Sequence, residues 1–293
     1  MQLATFSYLG REQVGLVTQN QARIVPLSQL LGIGAPGTMI ELIEQWMDLG
    51  PRLQAVCVSP GKGLPVPDVG LVAPIPHPRR NIICLGKNYR DHVSEIVGLG
   101  GSTSGIPAAP VYFSKMVDRV RGSTESVPVH TGVTSMLDYE AELAVIIGRA
   151  GHDIDPGSVP EYIFGYSVFT DITARDLQKS HDQWFKGKSL DGACAMGPVI
   201  VTADEIAYPP ALDIGCSVNG ELRQKAVTSD LIFGITEIVS DFSRGLTLIP
   251  GDIISTGTPA GVGMGFHPSR WLKPGDVVEC RIEGIGILRN TIE

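Results

Sequence analysis

The sequence predicts an α+β protein, mostly β, with a small amino-terminal α+β unit over residues 1–72 and a larger mixed-sheet unit over residues 73–293. Three observations predict it. Short apolar, β-branched runs bounded by Gly, Pro and Asp recur along the whole chain. Helical periodicity is confined to a few brief stretches, without the regular strand and helix alternation of a doubly wound parallel sheet. Six prolines crowd between Ser59 and Pro78, where ring-fixed φ angles prevent a continuous helix or central strand, and this places the unit boundary near Leu71.

Taken in order, strands are predicted over 3–8, 14–18 and 23–26, followed by a helix over 38–49 where apolar residues recur at helical spacing. Beyond the proline cluster, NIICLG, AELAVIIG, IFGYSVFTDI, GPVIVT, GDIISTG and DVVECRIEGIG read as strands separated by turn residues. Helices are expected near His92, over 174–182 and over 228–244. The segment GLGGSTSGIPAAP, residues 98–110, is rich in Gly and Ser and reads either as a surface loop or as a lid over a site.

Bulk composition narrows the function classes. The chain of 293 residues, 43% hydrophobic, is long enough to bury a substantial core without staples. Its five cysteines are odd in number and form no CxxC pair, which argues against a disulfide framework or a cysteine-rich zinc site and suits a reducing compartment. A net charge of −8 disfavours sequence-independent binding to nucleic acid. No basic start with an apolar block opens the chain, and no stretch reaches the ~20 apolar residues that span a bilayer. The expectation is a soluble, cytoplasmic protein with no membrane or nucleic-acid partner.

The strongest chemical signal is Asp138-Tyr139-Glu140-Ala141-Glu142, running into an apolar strand. Alternate strand residues share a face, so Asp138, Glu140 and Glu142 are expected to point the same way, where basic side chains or a cation must offset their repulsion. Hard oxygen ligands suit magnesium, manganese or calcium, whereas an exposed acidic strand face would need no ion. Asp171, at a strand-to-helix junction, reads first as a cap of the following helix, with a further ligand as the alternative. His92 and Glu95 are three residues apart and share a face of a helical turn, the arrangement of an oriented general base, although surface His and Glu pairs are common. Lys188 and Lys115 each could bind a carboxylate or an oxyanion, as could many surface lysines. The glycine-rich STGTPAGVGMG, residues 255–265, offers backbone amides suited to cradling an anion, or else only a tight turn. Neither a GxSxG elbow nor an HExxH motif occurs, so serine-hydrolase and zincin mechanisms lack their sequence support.

In sequence order, GKNYRDHVSE, PVYFSK, DYEAELAVIIG, FTDITARDLQ, FKGKSLDG, GDIISTGTPAGVG and KPGDVVECRIEGIGILRN resemble the fumarylacetoacetate hydrolase family, shorter bacterial type, over about residues 74–293. The resemblance implies a β-rich roll or sandwich of mixed sheets around a metal site, in a homodimer. It implies Glu140, Glu142 and Asp171 as ligands of Mg²⁺ or Mn²⁺, with Ca²⁺ as a further option. His92 and Glu95 match the family's water-activating dyad, Lys188 the lysine near the reacting centre, and Gln178 and Thr258 positions that contact substrate, with Lys115 as an addition. The longer animal members carry an extra metal-binding Asp ahead of the catalytic His, and NIICLGKNYRDH has no equivalent acid.

The function so implied is metal-dependent hydrolysis of a C–C bond in a 1,3-dicarbonyl or 2-oxo acid of the acylpyruvate or fumarylpyruvate type, as in aromatic catabolism. Decarboxylation of oxaloacetate, or isomerisation or hydration on the same site, is the alternative. An inactive metabolite-binding protein is the reading of a different class.

Overall fold

The structure, a computed structural model, describes residues 1–18, 22–56, 62–98 and 105–293. The principal elements are β1 (Gln2–Tyr8), β2 (Arg11–Val17), β3 (Arg23–Pro26), α1 (Met39–Glu44), α2 (Trp46–Gln54), β4 (Ile82–Gly86), α3 (Arg90–Gly98) and β5 (Val111–Lys115). There follow β6 (Ala141–Ile147), β7 (Ile163–Asp171), α4 (Arg175–Ser180), α5 (Phe185–Lys188), β8 (Cys194–Thr202), β9 (Asp213–Val218) and β10 (Glu221–Val227). The chain closes with α6 (Ile235–Ser243), β11 (Ile253–Ser255), β12 (Val277–Ile282) and β13 (Gly286–Thr291).

One large mixed sheet runs β3-β2-β1-β8-β7-β6-β11-β4-β5, with the pairs Leu64–Pro65 and Gly70–Leu71 added beside β3 and β1. Within it, β11 and β4 are parallel and the other labelled neighbours antiparallel. A second sheet, β10-β9-β12-β13, is wholly antiparallel. The fold is therefore α+β and mostly β, as the short punctuated apolar runs predict.

Strand β6 shows why an unbroken apolar run folds here as a strand. All seven of its residues are buried. Leu143, Val145 and Ile147 join one core with Cys216, Val278 and Leu288 of the second sheet, while Ala144 and Ile146 join a second core with Met39, Leu42, Ile43 and Leu53. A strand covered on both faces loses the polar alternation of a half-exposed one. Each large aliphatic side chain so buried contributes about 1.5–3 kcal/mol.

The amino-terminal segment is continuous with this architecture: β1 pairs with β8 through Gln2↔Val201 and Leu3↔Ile200, and its helices supply the second core. The expected helix over 38–49 is instead two. Thr38 caps α1 in a capping box with Glu41, and the chain leaves helical geometry at Gln45, whose φ and ψ are −97° and 11°. Trp46 then packs edge-on against Phe164, ring centroids 4.8 Å apart. The helix expected over 228–244 begins only at Ile235, after a single turn of 3-10 helix at Thr228–Asp230. Of the loop or lid read over 98–110, residues 99–104 lie outside the described residues.

Candidate metal and active site

The site forms where β6 and β7 meet. Glu142 pairs with Phe169 and Ala141 with Thr170, and the amide of Asp171 donates to the carbonyl of Glu140 at 2.9 Å. This register sets Glu140 and Asp171 opposite one another, with Glu142 and Asp171 on the face of Ala144 and Phe169. Glu140, Glu142 and Asp171 are all buried and can bring one oxygen each within 4.8 Å of the others. Asp171 caps no helix: the N-cap of α4 is Ala174, without a side-chain hydrogen bond.

Asp138 departs from the expected acidic face. It accepts from Arg175 Nε at 2.8 Å and from the amides of Gly263 at 2.6 Å and Met264 at 3.1 Å, outside the three-carboxylate cluster. Arg175 also donates through Nη2 to Glu140 Oε1 at 2.6 Å and through Nη1 to Gln178 Oε1 at 3.0 Å. Its flat fork thus ties a cluster carboxylate to a cavity-lining amide, which lysine could not do with one point charge. Sequence reasoning gave Arg175 no role, although it stands three residues before Gln178 on the same helix.

Lys188 Nζ bridges Glu140 Oε2 at 2.6 Å and Asp171 Oδ2 at 2.7 Å. Burial opposes its charge, but Asp171 and Glu140 outweigh burial and hold its pKa well above the usual lysine value. Lys115 differs from the substrate contact expected of it. It is 1% exposed, does not line the cavity, and donates to Asp171 Oδ1 at 2.6 Å and the Ile172 carbonyl at 3.0 Å. It buttresses Asp171 from behind.

The glycine-rich segment does cradle anions, and they are the protein's own carboxylates. Gly257 N donates to Glu142 Oε2 at 2.9 Å, beside a hydrogen bond from Ser255 Oγ, and Gly261 N donates to Glu95 Oε1 at 2.9 Å. A Cβ on Gly265 would lie 1.9 Å from Glu95 Oε1, so a side chain there would displace that carboxylate. The other oxygen of Glu95 meets His92 Nδ1 at 3.0 Å, on α3. His92 is buried and lines a cavity of about 390 Å³ together with Glu140, Glu142, Gln178, Lys188 and Thr258. Thr258 Oγ1 donates to the Ala141 carbonyl at 3.0 Å and accepts from Gln224 Nε2 at 2.8 Å. Gln224, a further residue that sequence reasoning passed over, also receives the Ala141 amide at 3.0 Å.

The donor set fits a hard divalent cation. Four buried carboxylates, counting Asp138, face three cationic side chains in this network. Burial opposes the charge of Glu140, yet Lys188 and Arg175 hold its pKa well below the usual range. Glu142 goes the other way, pushed up to about 8 by burial and by the charges of Asp171 and Glu140. Glu142 Oε2 takes the donors from Ser255 and Gly257, and Oε1 has none among the described residues. An added positive charge among these oxygens relieves the repulsion.

A family profile described as "Fumarylacetoacetate (FAA) hydrolase C-terminal" matches residues 81–293. The chain belongs to the fumarylacetoacetate hydrolase family. It is 43% identical over 305 aligned residues, covering 100% of each chain, to "Oxaloacetate tautomerase YisK" of Bacillus subtilis. Its structure resembles a fumarylacetoacetate hydrolase from the psychrophile Exiguobacterium antarcticum with a TM-score of 0.85 and 39% identity, covering 100% of this chain and 99% of that one. It also resembles maleylpyruvate hydrolase from Sphingobium sp. SYK-6, solved with manganese(II) and pyruvate, with a TM-score of 0.77 and 30% identity over 100% and 98% of the two chains. Enzymes of this family, then, include isomerising and hydrolysing members among this chain's relatives, and the Glu/Glu/Asp cluster is one that could hold a metal.

Proposed function

We propose that the protein is a divalent-metal-dependent tautomerase that interconverts the enol and keto forms of oxaloacetate or a closely similar 2-oxo dicarboxylate, with Mg²⁺ or Mn²⁺ at Glu140, Glu142 and Asp171. The observation that carries this reading is the shared cavity: His92, held by Glu95, lines the same space as Glu140 and Glu142 of the three-carboxylate cluster. Full-length similarity to an oxaloacetate tautomerase moves tautomerisation ahead of the C–C hydrolysis implied by the sequence motifs.

Ketonisation transfers one proton from the C2 hydroxyl to C3. A divalent cation bound at the cluster would act as a Lewis acid toward the substrate's carboxylate and 2-oxo oxygens. Glu95 engages His92 Nδ1, which fixes the ring and leaves Nε2 to take or give the proton at C3. Lys188, held charged between Glu140 and Asp171, sets a fixed positive charge where negative charge develops on the C2 oxygen. Gln178 has its carbonyl oxygen taken by Arg175, so its amide NH₂ is turned into a donor for the substrate carboxylate.

A second reading, hydrolysis of an acylpyruvate, is favoured by the same dyad, since an oriented imidazole also activates water. One experiment separates the two. Loss of the enol's ultraviolet absorbance is followed for oxaloacetate while pyruvate is assayed in parallel, with acetylpyruvate and fumarylpyruvate run alongside. Accelerated enol loss without pyruvate supports tautomerisation. Pyruvate from the acylpyruvates, without faster enol loss, replaces it with hydrolysis, and pyruvate from oxaloacetate replaces it with decarboxylation. We carry the homodimer forward as part of this proposal, to be checked by light scattering.

A further inference from the structure

Lys87 joins β4 to α3 with its backbone in the left-handed region, φ 56°, although it is not glycine. A side chain makes that conformation unfavourable, and it persists where surrounding contacts enforce it. They do so here through Asn88, which is fully buried. Its Nδ2 donates to the carbonyls of Phe233 at 3.1 Å and Thr256 at 2.8 Å, and its Oδ1 accepts from the Phe233 amide at 2.8 Å. On the other side, the Trp184 ring lies so close to Gly86 that a Cβ there would come within 2.3 Å of it. Lys87 is thereby held rigidly in the cavity wall, half-buried.

The charge around it is unusual for an acidic protein. Arg175 and Lys188, at the inner end of the cavity, are committed to carboxylates. Lys87 and Lys179 line the same cavity, and among the described residues neither makes an ion pair. Among the described residues, the exposed Asp182 is the acid that lines this cavity outside the metal cluster. A half-buried ammonium without an anionic partner favours a negative charge brought by a ligand.

We infer that Lys87, assisted by the more exposed Lys179, binds the carboxylate of the substrate that lies farthest from the metal cluster, and so selects dicarboxylic over monocarboxylic 2-oxo acids. This rests on the 2-oxo acid reading above and extends it to the other end of the substrate. Lys87 is a specificity-determining residue; it takes no part in proton transfer.

The test compares wild type, Lys87→Met, Lys87→Gly and Lys87→Arg on oxaloacetate and on its C4 monomethyl ester, which lacks the remote charge. Calorimetric binding of oxalate to the Mn²⁺-loaded proteins is measured beside it, because oxalate carries only the chelating end. For Lys87→Met, KM for oxaloacetate is expected to rise roughly 10- to 100-fold, the range for loss of one charge-assisted hydrogen bond. The KM for the ester, the kcat values and oxalate affinity stay within about threefold, within the context dependence of a single contact. Lys87→Gly relieves the left-handed backbone and is expected to show the same KM rise with no loss of thermal stability, whereas Lys87→Arg retains most of the selectivity. An equal change in KM for oxaloacetate and its ester, or none for either, overturns the assignment while the wild-type turnover keeps the 2-oxo acid reading. If wild type neither binds oxalate nor turns over any 2-oxo acid, that reading falls and this one with it.

Discussion

The backbone amide of Asp171 donates to the carbonyl of Glu140 at 2.9 Å, and this one bond of the β6–β7 ladder sets two carboxylates side by side at the mouth of the sheet. Their placement needs no long loop. It follows from strand register, which the burial of both strands on both faces enforces.

Removing a carboxylate of the cluster should therefore abolish metal binding without unfolding the sheet. Glu142→Gln keeps the shape and the hydrogen-bonding capacity while losing the charge. Manganese affinity, read by calorimetry, is expected to fall by more than the roughly 10- to 100-fold typical of removing an outer partner.

Asp138 is such an outer partner, and its loss should be felt twice. Asp138→Ala leaves Arg175 with one carboxylate fewer in a buried setting, expected to destabilise the fold by about 3–5 kcal/mol in denaturant titration. Asp138→Asn, which retains an acceptor, should fold and show a ~10- to 100-fold weaker metal affinity or activity, because Arg175 is then less firmly held against Glu140.

His92→Asn separates binding from chemistry. Metal affinity should be unchanged, since the imidazole is no part of the cluster. The kcat should fall by about 10²- to 10⁴-fold, the usual contribution of a positioned acid or base. Glu95→Gln should produce a smaller loss in the same direction, checked by steady-state kinetics.

Gly261→Ala tests the turn that holds Glu95. At φ 100° a Cβ would lie 1.9 Å from the Arg223 carbonyl oxygen, so the turn must shift and withdraw its amide from Glu95. A stability loss of roughly 1–3 kcal/mol is expected by thermal denaturation, accompanied by a fall in kcat.

Much of this site was legible in the sequence because strand alternation and the motif order place Glu140, Glu142, Asp171, His92, Glu95 and Lys188 on local elements. What was not legible depends on contacts far apart in the chain. Asp138 reads as a fourth member of the acidic face until Arg175, on a helix 37 residues later, draws it aside. Lys115 reads as a substrate contact because nothing local reveals that Asp171, 56 residues on, lies in front of it. The glycine-rich segment announces an anion cradle, but only the folded chain identifies Glu142, Glu95 and Asp138 as the anions. The split of the 38–49 helix at Gln45 likewise accompanies the packing of Trp46 on Phe164, a residue of a distant strand.

The central claim is that Glu140, Glu142 and Asp171 form a metal centre on which 2-oxo acid chemistry depends. Its most direct test is Mn²⁺ titration of chelator-treated wild type and Glu142→Gln, with oxaloacetate enol loss recorded at each addition. In wild type one ion is expected to bind per chain, with enol conversion rising in step with occupancy, and neither is expected in the variant. Full turnover in the chelator-treated wild type, or equal Mn²⁺ affinity in the variant, would contradict it.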